Sequence, residues 1–179
     1  GFVNDMRFLM NNMAPNRQTL FFSATITNEI DKLIKEFLTN PEKISVKTGD
    51  TARNVDQNIV RVPHGADKID SLHALLLKKE FSKVLIFGRT KHGVEKLCQA
   101  LVRNGFKAES IHGDKNQSRR QSALKAFRDN HSQILVATDV AARGLDIPNV
   151  THVINYEIPA TYEDYVHRIG RTGRGNQTG

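Results

Sequence analysis

Apolar residues along this chain follow two patterns, short β-branched runs and longer stretches with an apolar position every three or four residues. The runs Leu20–Ser23, Asn58–Val62, Val84–Phe87, Ala108–Ile111, Gln133–Ala137 and Thr151–Asn155 predict buried strands. Between most of them the spacing is helical. Ile69, Leu72, Leu75 and Leu76 share one face, as do Val94, Leu97, Leu101 and Val102, and then Ala123, Leu124 and Phe127. Strand and helix alternating in short units predict a parallel sheet covered by helices on both faces. Residues 58–179 are therefore expected to form a doubly wound α/β domain.

The first stretch reads differently. Its pattern predicts a helix over Phe2–Met13, a strand over Thr19–Ser23 and a second helix over Thr27–Leu38. The polar segment that follows carries Pro41 and Gly49 without a regular period, which marks a linker, placed at 46–57. A solitary strand can satisfy neither its edges nor its faces. Residues 1–45 are accordingly expected to be the end of a preceding domain. The orphan segment Leu20–Ser23 is expected either to pair with a second molecule, giving a dimer, or to fold back on its own domain.

Charge adds a direction. The 179 residues hold 26 lysines and arginines against 19 acids, a formal charge of +7. Such an excess suits a phosphate-bearing partner, although many basic proteins bind nothing specific. No apolar run approaches the roughly 18–20 residues needed to cross a bilayer, and the N-terminal residues lack a signal-peptide pattern, so no membrane role is expected. Cys98 is the lone cysteine. That excludes a disulfide framework, fits a reducing cytoplasm, and at helical spacing among apolar residues reads as a core position. Seven scattered histidines without HExxH or a second cysteine give no metal site.

Five segments carry candidate chemistry. In His167–Arg174, three arginines (168, 171 and 174) recur every third residue among glycines. Planar guanidinium forks match phosphate oxygens, so the segment is either a γ-phosphate finger or a basic surface loop. Ala137–Pro148 begins at a strand end and presents Thr138, Asp139, Arg143 and Asp146 together, where open α/β sheets place ligands. Asp139 as a helix cap is the simpler reading there. Val84–Thr90 runs a strand into Gly88 and a helix start at Thr90, a phosphate-compatible junction found in every α/β protein. His112–Arg120 places Gln117 and Arg120 one helical turn apart, or is a polar helix start with Ser118 near the cap. Ser23-Ala24-Thr25 ends the orphan strand; there a hydroxyl relay competes with Thr25 or Thr27 as a helix cap.

In this order the five segments closely resemble the later motifs of the DEAD-box ATP-dependent RNA helicases. The matching strings are Ser-Ala-Thr at 23–25, the strand end with Thr90, HGD with Gln117 and Arg120, ATDVAARGLDIP and HRIGRTGR. The resemblance implies two RecA-like lobes that hold ATP and RNA between them, with residues 1–45 the tail of the first lobe and 58–179 the second. It implies that Ser23 and Thr25 couple hydrolysis to strand separation and that Asp146 contacts the ATP ribose. Arg171 and Arg174 would reach the γ-phosphate, and His167 and Arg168 would hold the interface with the other lobe. Thr90, Gly113, Gln117, Arg120, Thr138 and Arg143 would line the RNA backbone, giving binding independent of base sequence.

The family's phosphate loop and its Asp-Glu-Ala-Asp motif, which holds Mg2+, are not in this sequence; the resemblance places them in the first lobe, upstream of Gly1. The chain alone is accordingly expected to be inactive, and to lack the sheet's last strand. Two rival readings remain: a non-enzymatic RNA-binding clamp, and a DNA-directed helicase of the wider superfamily.

Overall fold

A computed structural model describes residues 2–23, 26–45, 54–173 and 178–179. The chain divides into two compact units, Gly1–Thr48 and Gly49–Gly179. Most of the linker expected at 46–57 lies outside the described residues.

The first unit holds helices α1 (Val3–Asn12) and α2 (Asn28–Phe37). Thr27 caps α2 by accepting from the Ile30 N–H at 3.4 Å, so of the two threonines weighed as a cap it is Thr27 that serves. A two-pronged pair, Arg7 Nε to Glu36 Oε1 at 2.6 Å and Nη2 to Oε2 at 3.0 Å, ties α1 to α2. The expected strand at Leu20–Ser23 does not form. That segment is irregular, and Leu20 and Phe22 stand exposed. β-branched and aromatic character records strand preference, but a strand exists only where a partner edge supplies its hydrogen bonds.

The second unit is built on a four-stranded parallel sheet. After α3 (Lys68–Leu76) come β1 (Val84–Gly88), α4 (Lys91–Arg103), β2 (Ala108–Ile111), α5 (Gln117–Arg128), β3 (Ile134–Thr138) and the short α6 (Asp139–Ala142). β4 (His152–Asn155) and α7 (Tyr162–Ile169) complete it. The spatial order is β2-β3-β1-β4, with Val84 level with Ile134 and His152. From β1 the chain crosses outward to β2, then turns back to β3, so right-handed crossovers put α4 and α5 on opposite faces. Burial follows. Val84, Ile86, Ile134 and Val136 pack under α3 and α4, and Leu85, Phe87, Leu135 and Ala137 pack under α5 and α6. Strands covered on both faces read as continuous apolar runs, which is why β1 and β3 were so plain in the sequence.

Two expectations are corrected here. Asn58–Val62 is no strand: Ile59 is 89% exposed, and the backbone pairing in this region lies just before it, where Gly179 N–H donates to Asn54 O at 2.9 Å and Asp56 N–H to Gly179 O at 2.6 Å. On α4 the buried stripe is Val94, Leu97, Cys98 and Leu101, while Val102 faces out. Cys98 is a core residue as its spacing suggested, and burial pushes its thiol pKa up.

Candidate functional site

Parallel strands send all their following loops to one edge of the sheet. β1 and β3 are neighbours, and their loops lead to helices on opposite faces. The point between them is where an open α/β sheet opens a crevice.

Arg168 occupies that point. It reaches in from the last turn of α7, a helix capped by Thr161, whose hydroxyl oxygen accepts from Asp164 N–H at 3.1 Å. Arg168 is 1% exposed. Its Nε and Nη2 bind the two Asp139 carboxylate oxygens at 2.6 and 2.8 Å, and its Nη1 donates to Asn155 Oδ1 at 2.9 Å and to Glu157 O at 2.7 Å. Its guanidinium carbon lies 5.0 Å from the Phe87 ring centre. A buried guanidinium is tolerable when it makes four hydrogen bonds, two of them to a carboxylate. Asp139 is therefore not a cap: it is the first residue of α6, and Thr138 holds the cap position without a side-chain bond. One side chain thus ties together the ends of β3, β4 and α7.

Arg168 and Asp139 line a pocket together with Arg143, Asp164, His167 and Arg171, and with Phe87 and Ala142. Arg171 Nη1 donates to Leu145 O at 2.5 Å, which fixes its guanidinium beside the loop carrying Asp146. Arg143 pairs loosely with Asp164 at 3.6 Å, and Asp146 is exposed. Thr172 locks the turn after α7 by donating to Val150 O at 2.6 Å. Gly173 sits at φ +63, and a Cβ there would lie 2.9 Å from Asn54 O, so this turn accepts only glycine. Arg174 and Thr25 lie outside the described residues, and Ser23 belongs to the first unit.

The remaining candidates stand along the same edge. Thr90 caps α4, accepting from Gly93 N–H at 3.0 Å. Glu157, whose carbonyl Arg168 holds, turns its carboxylate to the Arg89 N–H at 2.5 Å. A Cβ on Gly88 would meet the Val94 side chain at 2.9 Å and Glu157 Oε2 at 3.4 Å, so the bare glycine leaves room for both neighbours. After β2, Gly113 and Gln117 are exposed and Arg120 is half-buried one turn into α5. The cap of α5 is Asn116, which accepts from Arg119 N–H at 2.9 Å, and not Ser118. Thr138 is mostly buried, level with Gly88 in the ladder.

Asn155 and Glu157 escaped the sequence reading. Their signal was their position just past a strand, but the partner that gives them meaning is an arginine eleven or more residues on. Among the described residues no group of three or more His, Cys, Asp or Glu side chains is placed to hold a metal, and no helix is long and apolar enough to cross a membrane.

The chain matches the helicase conserved C-terminal domain over residues 67–176. It is 46% identical over its whole length to the DEAD-box ATP-dependent RNA helicase CshA of Bacillus licheniformis, and 44% identical to that of Bacillus subtilis. This chain belongs to the DEAD-box RNA helicase family. It spans 37% of the length of the B. licheniformis protein and 36% of the B. subtilis protein. A solved DEAD-box protein from Methanococcus jannaschii is 36% identical, covers the whole chain and 48% of its own, and superposes with a TM-score of 0.65. Dbp5 of S. cerevisiae, solved with RNA and ADP BeF3, is 28% identical with a TM-score of 0.79, again over all of this chain and 48% of its own. The four-stranded parallel sheet is thus that of a RecA-like C-terminal lobe in a DEAD-box helicase.

Proposed function

We propose that the second unit is the lobe of an ATP-dependent RNA helicase that supplies arginine to the γ-phosphate and part of the surface for the RNA backbone. The observation that carries this is the crevice at the switch point: Arg171 and His167 line it, held in place by the buried Arg168–Asp139 pair. Arg171 has the right chemistry for the task, being permanently charged, fork-shaped and fixed by a carbonyl before any ligand arrives. Arg174, in the same motif, is assigned with it. Asp146, on the loop whose carbonyl holds Arg171, is assigned to the ribose, since an exposed carboxylate accepts from hydroxyls.

Arg168, which its motif assigns to the interface with the other lobe, makes its hydrogen bonds inside the domain, so its part in that interface would be to position its neighbours. His167 is assigned to face the other lobe.

Thr90, Gly113, Gln117, Arg120, Thr138 and Arg143 are assigned to RNA. They come from three successive strand-end segments and combine hydroxyl, amide and guanidinium donors with an exposed glycine, which fits contacts to phosphate and ribose that carry no base identity. Bound ATP with Mg2+ supplies the phosphoryl group, and the first lobe, of which residues 1–45 would be the tail, is assigned the metal. Ser23 and Thr25 would link that lobe to strand separation. The exposed Leu20 and Phe22 are assigned to contacts with the rest of the first lobe, and a dimer through them is the rival that sedimentation separates. A reducing compartment, the cytoplasm, suits the buried single thiol.

The test is ATP hydrolysis by the gene product that carries this chain, with single-stranded RNA or DNA added. Stimulation by RNA and not DNA is expected. Equal stimulation by DNA would point to a DNA-directed helicase, and RNA binding with no hydrolysis to a clamp.

A further inference from the structure

Behind the loop that follows β2 lies a polar cluster the proposed function does not use. Glu95 projects from α4, and its Oε2 accepts from the Ser110 hydroxyl at 2.6 Å. The same oxygen lies 3.1 Å from His112 Nε2 and 3.7 Å from Lys115 Nζ, while Oε1 accepts from Gln99 at 3.2 Å. Ser110 is fully buried and His112 is 6% exposed.

The arrangement is not a nucleophilic triad. The serine hydroxyl donates to the carboxylate and not to the imidazole, and no substrate reaches it. Its consequence is positional. His112 Nδ1 accepts from the Asp114 N–H at 3.3 Å, and a backbone N–H can only donate. An imidazole that accepts at Nδ1 carries its proton on Nε2, where it can donate to Glu95. Both ring nitrogens are engaged, one by α4 and one by the loop. The His112 carbonyl closes the turn by accepting from Lys115 N–H at 3.1 Å, and Asp114 is held from the start of α4 by Lys91 at 2.9 Å. The loop is gripped from behind at two points, while Gly113 at its tip has nothing within 4 Å of where a Cβ would stand.

We infer that Glu95 is a positioning residue for RNA binding: through Ser110 and His112 it sets the turn that presents Gly113, Gln117 and Arg120 to the RNA backbone. This rests on the assignment of that loop to RNA. The serine bond above all, then His112, Lys115 and Gln99, hold the Glu95 carboxyl at a pKa of about 2, so the acceptor is charged at any physiological pH.

The experiment is fluorescence anisotropy of a labelled single-stranded oligouridylate with the gene product that carries this chain. Glu95→Ala is expected to weaken RNA binding about tenfold, equivalent to about 1.4 kcal/mol. Glu95→Gln keeps a carbonyl acceptor for Ser110 and His112 and is expected to restore most of the affinity. Nitrogen-15 spectra of the unmodified protein are expected to show His112 protonated on Nε2 and bare on Nδ1, a readout that requires no variant to fold. Wild-type affinity in Glu95→Ala, or a proton on Nδ1, overturns the inference. Arg120→Ala separates the two levels. If it weakens binding while Glu95→Ala does not, only the positioning role fails; if neither changes binding, the RNA assignment of the loop falls with it.

Discussion

Arg168 and Asp139 form a two-pronged pair, at 2.6 and 2.8 Å, between the end of α7 and the start of α6. The pair explains why an arginine inside a basic motif is nearly inaccessible: it fastens the strand and helix ends that carry the pocket-lining residues around it.

Breaking a buried pair leaves a charge without its partner, at a cost of about 3–5 kcal/mol. Asp139→Asn is expected to fall near that range, because it leaves the buried Arg168 guanidinium without its counter-charge. Arg168→Lys keeps a cation beside Asp139 and should be milder, its cost coming from an ammonium that cannot reproduce the fork spanning Asp139, Asn155 and Glu157. Urea denaturation of both variants measures this, and an unaltered midpoint for Asp139→Asn would show the pair to be dispensable.

Arg171→Ala probes chemistry and not stability. Arginine fingers contribute about 10³ to 10⁵ in rate, or roughly 4–7 kcal/mol of barrier. In the complete enzyme the variant is expected to lose most RNA-stimulated ATP hydrolysis while binding RNA near normally. Turnover close to wild type would sink the finger assignment.

Thr172→Val tests the turn after α7. The methyl groups fit, but the buried Val150 carbonyl loses its 2.6 Å donor. A loss of about 1–3 kcal/mol is expected. A melting temperature equal to wild type would mean that another group satisfies that carbonyl.

Acid should expose Glu95. Its folded pKa of about 2 lies below the ordinary carboxyl value of 4.5, so the folded state binds the proton less readily than the unfolded chain does. The stabilisation is therefore complete above about pH 4.5 and is lost as pH falls toward 2. Since the side chain is 37% exposed, solvent reduces the effect. In Glu95→Gln the fall in stability across that window should be shallower than in wild type. Parallel acid curves would remove the ion from the account.

Much of the fold was legible because β1 and β3 are covered on both faces and their helices carry a repeating apolar stripe. Leu20–Ser23 and Asn58–Val62 were misread for the opposite reason. Each has strand-like residues, yet a strand is defined by a partner edge, and no local pattern reports whether one is there. The roles of Asp139 and Ser118 were misjudged likewise. A carboxylate or hydroxyl near a helix start looks like a cap until an arginine twenty-nine residues away claims the carboxylate and Asn116 takes the hydroxyl's place.

The sequence by itself determined the α/β class, the strand-end positions of Thr90, Thr138 and the HGD loop, and the family, because propensity, period and motif are local properties of the chain. Only the tertiary structure decided that Arg168 faces inward, that Asn155 and Glu157 join it, and that Glu95 stands behind His112. Those are pairings between residues distant in sequence. Which of many donors meets which acceptor is settled by the strand order β2-β3-β1-β4 and the crossovers that produce it.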